Sequence, residues 1–210
     1  MHGISAKVAA VLAGCAALSA CSSSGGDAAG STTAEDYNIR FDAVSALGAT
    51  QNMPTSLQAD YRGELMADLS DGSGVLGTVL ADLDIAVDWT EGQTANPFSG
   101  TADNFREVGG AARLEGTLTV DDGFGGSIIR SSVPVPGTTV EVDTGAGQFV
   151  MTGDLTQDGT SYETELTLGG TFFGDAGEAM VGAVSGGLRT PGSGAAFDYA
   201  AGGTFYLQQQ

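Results

Sequence analysis

Histidine occurs once in the 210 residues, at position 2, lysine once, at position 7, and cysteine only at positions 15 and 21. From residue 22 onward the chain has none of the three. That excludes His-dependent triads, Cys–His dyads, Schiff-base lysines and zinc sites of the His or Cys type from this part of the chain. It equally excludes an axial histidine for haem and any disulfide. Neither catalysis nor a bound metal or cofactor is expected. Basic residues are scarce too: 7 against 26 acids, for a net charge of −19. Such a surface repels nucleic acid, whose binding depends on neutralising phosphates, and it repels anionic lipid headgroups. Beyond residue 21 no helix-length apolar stripe separates the β-patterned segments, so the crossovers that a parallel sheet needs are missing.

What is present begins with a leader. Lys7, an apolar run over residues 8–17 and the sequence Leu18-Ser19-Ala20-Cys21 have the layout of an export signal. The run is too short to span a bilayer. Leu-Ser-Ala-Cys matches a lipobox, with residues 1–20 as signal peptide and Cys21 as the acceptor of the lipid. Two or more acyl chains hold a protein firmly on its membrane, at ~0.8 kcal/mol per buried methylene. The membrane is thus a partner through the lipid on Cys21. Ser22, rather than an aspartate, follows the cysteine, and resemblance to other lipoproteins then implies the outer membrane. Residues 21–34 read as the lipidated cysteine and a small, polar, flexible tether.

Residues 35–58 form a lead-in segment that fits two patterns. Tyr37, Ile39 and Phe41 alternate like a strand, while Phe41, Val44 and Ser45 fit a helical turn. Residues 59–210 read as the main domain, enough for one core. Its pattern is a succession of about nine strand segments. The clearest places Leu83, Ile85, Val87 and Trp89 on one face and Asp82, Asp84, Ala86 and Asp88 on the other. Asp71-Gly72, Asp122-Gly123 and Asp158-Gly159 mark tight hairpins. The expected fold is all-β, a closed antiparallel up-and-down β-barrel of about eight strands, since closure removes exposed edges.

Residues 169–186, GGTFFGDAGEAMVGAVSG, read as strand, glycine-bearing turn and returning strand. Leu166, Leu168, Gly170 and Phe172 share one face, and Met180, Gly182 and Val184 resume it. Aromatic residues beside glycines suggest large and small side chains interleaved inside a narrow closed sheet. The stretch resembles the G-x-F-Y-G-x-x-A-E-E-x-x-G signature of the transferrin-binding protein B-like lipoproteins through Gly170, Phe172, Phe173, Gly174, Glu178 and Gly182. Phe173 replaces the usual tyrosine, and Met180-Val181 follow the acid. Met53-Pro54-Thr55 before Tyr61-Arg62-Gly63 resembles the entry to the family's first barrel strand. Residues 80–89, 98–105 and 114–118 resemble its second to fourth strands in order. The resemblance spans roughly residues 53–207. It implies a short, single-barrel, solute-binding lipoprotein displayed at the cell surface, in a family whose partners include iron-carrying proteins, haemoglobin and complement regulators. The chain is too short for the two lobes of those members.

Three functions fit these observations. The first is a non-enzymatic outer-membrane lipoprotein whose barrel loops bind a protein partner, as the resemblance implies, in iron or haem acquisition. The others are a lipocalin-like cup for a small ligand and a purely structural envelope lipoprotein. For the first, the candidate contacts lie in loops, where rigid scaffolds usually place recognition. These loops are residues 134–146 with Pro134 and Pro136, residues 186–196 with Arg189, Thr190 and Pro191, and the shorter 90–97. Asp82, Asp84 and Asp88, with Glu64 and Asp68 on the neighbouring strand, offer oxygen ligands. They lack the glycine-bend spacing of a calcium loop and read as a solvated face.

Overall fold

The computed structural model describes residues 30–108, 113–194 and 196–210. Cys21 and the signal peptide lie outside these. The described chain is mostly β. A helix, α1 (Ala34–Ser45), precedes ten strands: β1 (Ser56–Asp71), β2 (Gly74–Thr90), β3 (Phe98–Glu107), β4 (Glu115–Gly116), β5 (Leu118–Val120), β6 (Ser127–Pro134), β7 (Glu141–Gln157), β8 (Thr160–Phe173), β9 (Ala179–Arg189) and β10 (Tyr199–Gln209). All belong to one sheet, and every pairing between them is antiparallel. The pairings run β7-β5-β3-β2-β1-β10-β9-β8 and return from β8 to β7, a ring of eight strands. Among the described residues no helix is long and apolar enough to cross a membrane.

Alternation decides which side chains fill the ring. Leu83, Ile85, Val87 and Trp89 of β2 are all buried, as are Leu57, Tyr61, Leu65 and Leu69 of β1. They join Phe98, Phe149, Phe172 and Phe205 in one core. Phe98 and Phe149 lie 4.6 Å apart between ring centroids, and Phe205 meets Phe149 edge-on at 6.4 Å. Glycines make room for these rings. A Cβ on Gly147 would sit 2.9 Å from Phe98 Cζ, and one on Gly182 would meet Phe205 at 2.7 Å. Gly182 pairs with Gly170 across β8 and β9. The interleaving of aromatic and glycine expected for residues 169–186 is what packs this wall.

The turn inside that stretch is a short 3-10 segment, Asp175–Gly177, with Ala176 at φ 52°. It is held from two sides. Tyr61 donates its hydroxyl to the Gly177 carbonyl at 2.6 Å, and Asn52 accepts from the Ala176 amide at 2.9 Å while bonding Asp175. Residues 49–53 therefore form a strap across this end of the ring. Thr50 donates its amide to Phe172, Met53 donates to Asp143, and Met53 is buried over Gly145 and Gly177.

The structure decides between the two patterns of the lead-in segment and differs from the sequence expectation in two other elements. Residues 34–45 are helical, because Thr33 caps the first turn by accepting from the Asp36 amide at 3.0 Å. The Tyr37, Ile39, Phe41 alternation is incidental, and only Tyr37 and Val44 of the helix are buried. The strand expected over residues 114–118 is split into β4 and β5, the second running on to Val120. The expected loop at 134–146 is mostly strand: β6 and β7 pair from Ser127↔Gln148 to Pro134↔Glu141, leaving residues 135–140 as the turn.

Candidate functional site

Chain direction sorts the loops by end. β1, β3, β7 and β9 run one way and β2, β5, β8 and β10 the other. Residues 91–97, 121–126, 135–140 and 174–178 therefore lie at one end, with the strap. Residues 72–73, 158–159, 190–194 and 196–198 lie at the other. Pro134 and Pro136 are thus at the opposite end of the ring from Arg189, Thr190 and Pro191. The two sets of candidate contacts do not form one surface.

Arg189 is also not in mid-loop. It is the last residue of β9, paired with Glu163 of β8, to which its Nε donates at 3.0 Å. Its guanidinium lies 5.9 Å from the centre of the Phe197 ring. Thr190 donates its amide and its hydroxyl to Asp198 at 2.6 and 2.7 Å. Those bonds hold the Asp198 carboxyl below its ordinary range. Arg189 and Thr190 therefore fasten the ends of their own turn.

The outward acids are also mostly engaged. Asp68 accepts from Thr78 at 2.6 Å, and Asp84 pairs with Arg62 at 3.2 Å. Among the described residues no group of three or more acids, cysteines or histidines could hold a metal ion.

Glu64 stands apart. It points outward from β1 yet is only 3% exposed. Its two oxygens accept the Ser31 amide at 2.5 Å, the Ser31 hydroxyl at 2.6 Å, the Tyr206 hydroxyl at 2.6 Å and Arg106 Nη2 at 2.8 Å. Arg40 of α1 approaches to 3.7 Å. A buried carboxylate needs this many donors to offset the loss of water. The residues expected to end a flexible tether are part of this arrangement, since Ser31 is buried and its carbonyl accepts from Arg106 Nε at 2.9 Å. Burial, then the hydrogen bond to Glu64, pushes the Tyr206 hydroxyl well above its ordinary range.

A bulge brings Arg106 there. Between Leu80↔Arg106 and Asp82↔Asp103 the register of β2 and β3 shifts, and Asn104 takes φ 50°. Asparagine tolerates this left-handed conformation better than most residues. The extra residue restores Phe105 to the interior and turns Arg106 outward, where it also lies 2.7 Å from Asp82. Bulges commonly re-aim a side chain in this way. Beside the cluster, between α1 and the sheet, runs a groove of about 840 Å³ lined by Arg40, Arg62, Asp84, Asp103, Gln208 and Gln210 among others. Sequence reasoning missed this cluster, whose members come from positions 31, 40, 64, 106 and 206.

At the strap end the features are different. The β6–β7 hairpin continues past β5, and among the described residues β6 pairs with β7 alone. Phe124, Ile129, Val133 and Val140 are exposed there. No family model, curated protein or solved structure matches this chain.

Proposed function

We propose that the chain is a non-enzymatic lipoprotein of the outer membrane, held by acyl chains on Cys21, whose ring of strands is a closed up-and-down β-barrel. On this reading it captures a protein partner at the strap end. The lipobox supports the anchor, and the order of the motifs over residues 53–207 supports kinship with the transferrin-binding protein B-like lipoproteins. That resemblance extends the role to partners that carry iron or haem, with the domain displayed at the cell surface.

One observation carries the choice of a protein partner over a small ligand. The interior is packed with aromatic and aliphatic side chains, whereas large apolar side chains stay exposed on a hairpin that projects past its neighbour strand. A cup needs the reverse. Exposed apolar clusters on one projecting element mark contact sites more often than chance.

The test is capture by intact cells bearing the full lipoprotein, with proteins of the native surroundings as the source. Replacing residues 135–140 by a Gly-Ser turn should abolish capture, and the same replacement of 190–194 should leave it. Loss only with the second variant would move the contact to the other end. Capture unaffected by either would leave a structural envelope lipoprotein as the better reading.

A further inference from the structure

The hydrogen-bonding parity of β6 can be counted from its turn. Val135 donates its amide to the Val140 carbonyl at 2.9 Å. In an antiparallel pair, residues alternate between those that bond the partner strand and those whose backbone groups point away from it. Counting back from Val135, residues Ile129, Ser131 and Val133 bond β7, and Ile128, Arg130 and Ser132 turn their N–H and C=O groups to the outer edge. Pro134 falls on the outward parity as well, where its missing N–H breaks no ladder bond. Near the start of β6 that edge is crowded by Asn96, whose Oδ1 would lie 2.2 Å from a Cβ on Gly126. Among the described residues the open part is therefore short, roughly Arg130 to Pro134.

Side chains add a face to this edge. By register, Ile129 opposes Ala146 and Val133 opposes Val142, so these four share one side of the hairpin. It is the outward side, since Ile128, their neighbour in sequence, is buried while Ile129 is 62% exposed. The surrounding charge is acidic. Glu91, Asp121, Asp122, Glu141 and Asp143 are at this end. The arginine of β6, Arg130, is taken up internally, by Asp143 at 2.6 Å and Glu91 at 3.7 Å.

We propose that the open edge of β6 takes an extended segment of the partner protein as an added strand, and that this segment alternates basic and apolar residues. The backbone edge supplies the affinity common to strand addition. The Ile129–Val133–Val142 face receives the apolar positions, and the carboxylates receive the basic ones. A second copy of this chain is the poorer occupant, because each copy brings its own net charge of −19 to the same contact. This inference rests on the partner-capture reading and adds the partner's chemistry to it.

The probe is a ten-residue peptide alternating lysine and valine, titrated into the full-length lipoprotein in detergent micelles. It is compared with a glutamate–valine peptide and with a lysine–valine peptide N-methylated on alternate residues. The lysine–valine peptide should bind at least tenfold tighter than either. Methylation keeps charge and apolarity but removes one edge of donors, so it isolates the backbone contribution. Ser132→Pro, which removes an outward N–H and no ladder bond, should weaken binding at least tenfold, whereas Ser132→Thr should not. Amide exchange at Arg130 and Ser132 should slow when the peptide is bound, a readout that does not depend on any variant folding. Equal binding of the methylated peptide, or unchanged exchange at those two amides, would overturn the proposal. So would a concentration-dependent dimer that protects them without peptide, since the occupant would then be a second copy. Capture lost with the 135–140 replacement but retained by Ser132→Pro would sink strand addition while leaving partner capture standing.

Discussion

Over β1, β9 and β10 the outer face of the sheet carries Met66, Val181 and Tyr206, and α1 lies on it, burying Tyr37 against Tyr206 in a cluster that includes Leu80. Over the β6–β7 hairpin the outer face carries Ile129, Val133 and Val142, and the first two stay exposed. Both faces are apolar stripes produced by the same alternation. The difference is what the chain does about them. The first is covered by a helix too weakly amphipathic to dock by its apolar stripe alone, since only Tyr37 and Val44 of its twelve residues are buried and Ile39 faces solvent. The buried Glu64 cluster makes up the deficit, tying residue 31, the helix and three strands together. Among the described residues the hairpin face has no comparable cover or latch. An outer apolar stripe beneath the chain's own helix is architecture, and one left bare is the feature on which the proposed partner contact rests.

The largest expected effect tests the latch. Glu64→Ala removes the acceptor of Ser31, Tyr206 and Arg106 at once and leaves a half-buried guanidinium without that partner. Breaking a buried pair in this way costs about 3–5 kcal/mol. Urea unfolding of the variant should show that loss, with the helical signal disappearing before the strand signal. Glu64→Gln keeps an acceptor and should cost less. If Glu64→Ala unfolds at the wild-type midpoint, the cluster does not hold the cover down.

A smaller effect is expected at the start of the helix. Thr33→Ala removes the cap and should cost about 1 kcal/mol. It also bears on pH. A hydrogen bond from the Thr33 side chain, to which Thr32 adds, holds the Asp36 carboxyl below its usual 3.8. A group whose folded pKa is depressed contributes stability that is present above its unfolded pKa and is lost as pH falls through the folded value. The helix should therefore loosen in acid below that range. In Thr33→Ala the Asp36 titration, followed by carboxyl NMR shifts, should move upward. An unmoved titration would mean that the cap is not what depresses it.

Arg189→Ala should cost less than about 1 kcal/mol, because its pair with Glu163 is partly solvated. The difference from wild type should shrink as salt rises. Partner capture should survive it. Loss of capture with an unchanged melting temperature would return the contact to the end where the candidates Arg189, Thr190 and Pro191 lie.

How much was legible follows from where the core sits. Strands whose one face lines the packed interior announced themselves, as Leu83, Ile85, Val87 and Trp89 did, because burial imposes a period of two. The first half of β7 gave no such signal. Residues 141–147 are EVDTGAG, acids, threonine and glycine around two small apolar residues, because residues 141–145 pair only with β6 and the strap, pairing with β8 begins at Ala146, and the buried positions, Gly145 and Gly147, carry no side chain. It therefore read as a loop, and Pro134 and Pro136 read as loop residues. Arg189 was misplaced for a related reason: Gly186 and Gly187 before it looked like a turn, although they sit in a strand where Tyr199 and Phe197 press close on Gly187. The Glu64 cluster could not be read at all. Its parts are up to 175 positions apart, from Ser31 to Tyr206, and no local pattern distinguishes a buried outward glutamate from a solvated one.

The smallest expected effect on stability is at the hairpin, and it sharpens the contrast most. Ile129→Ser with Val133→Ser removes the bare stripe without touching the interior, where Gly147 makes room for Phe98 and Ile128 joins the same core. Exposed positions that pack on nothing change stability by no more than about 0.5 kcal/mol. The double variant should melt with wild type, and its solubility should rise as the exposed apolar area falls. The equivalent pair on the covered face, Met66→Ser with Val181→Ser, should instead lower the melting temperature, since both side chains pack against the Tyr37 cluster. If the two pairs prove equally costly, the hairpin stripe is covered by the chain itself and is not a surface kept for another molecule. If the hairpin pair is silent in melting but removes partner capture, the stripe is held exposed for recognition.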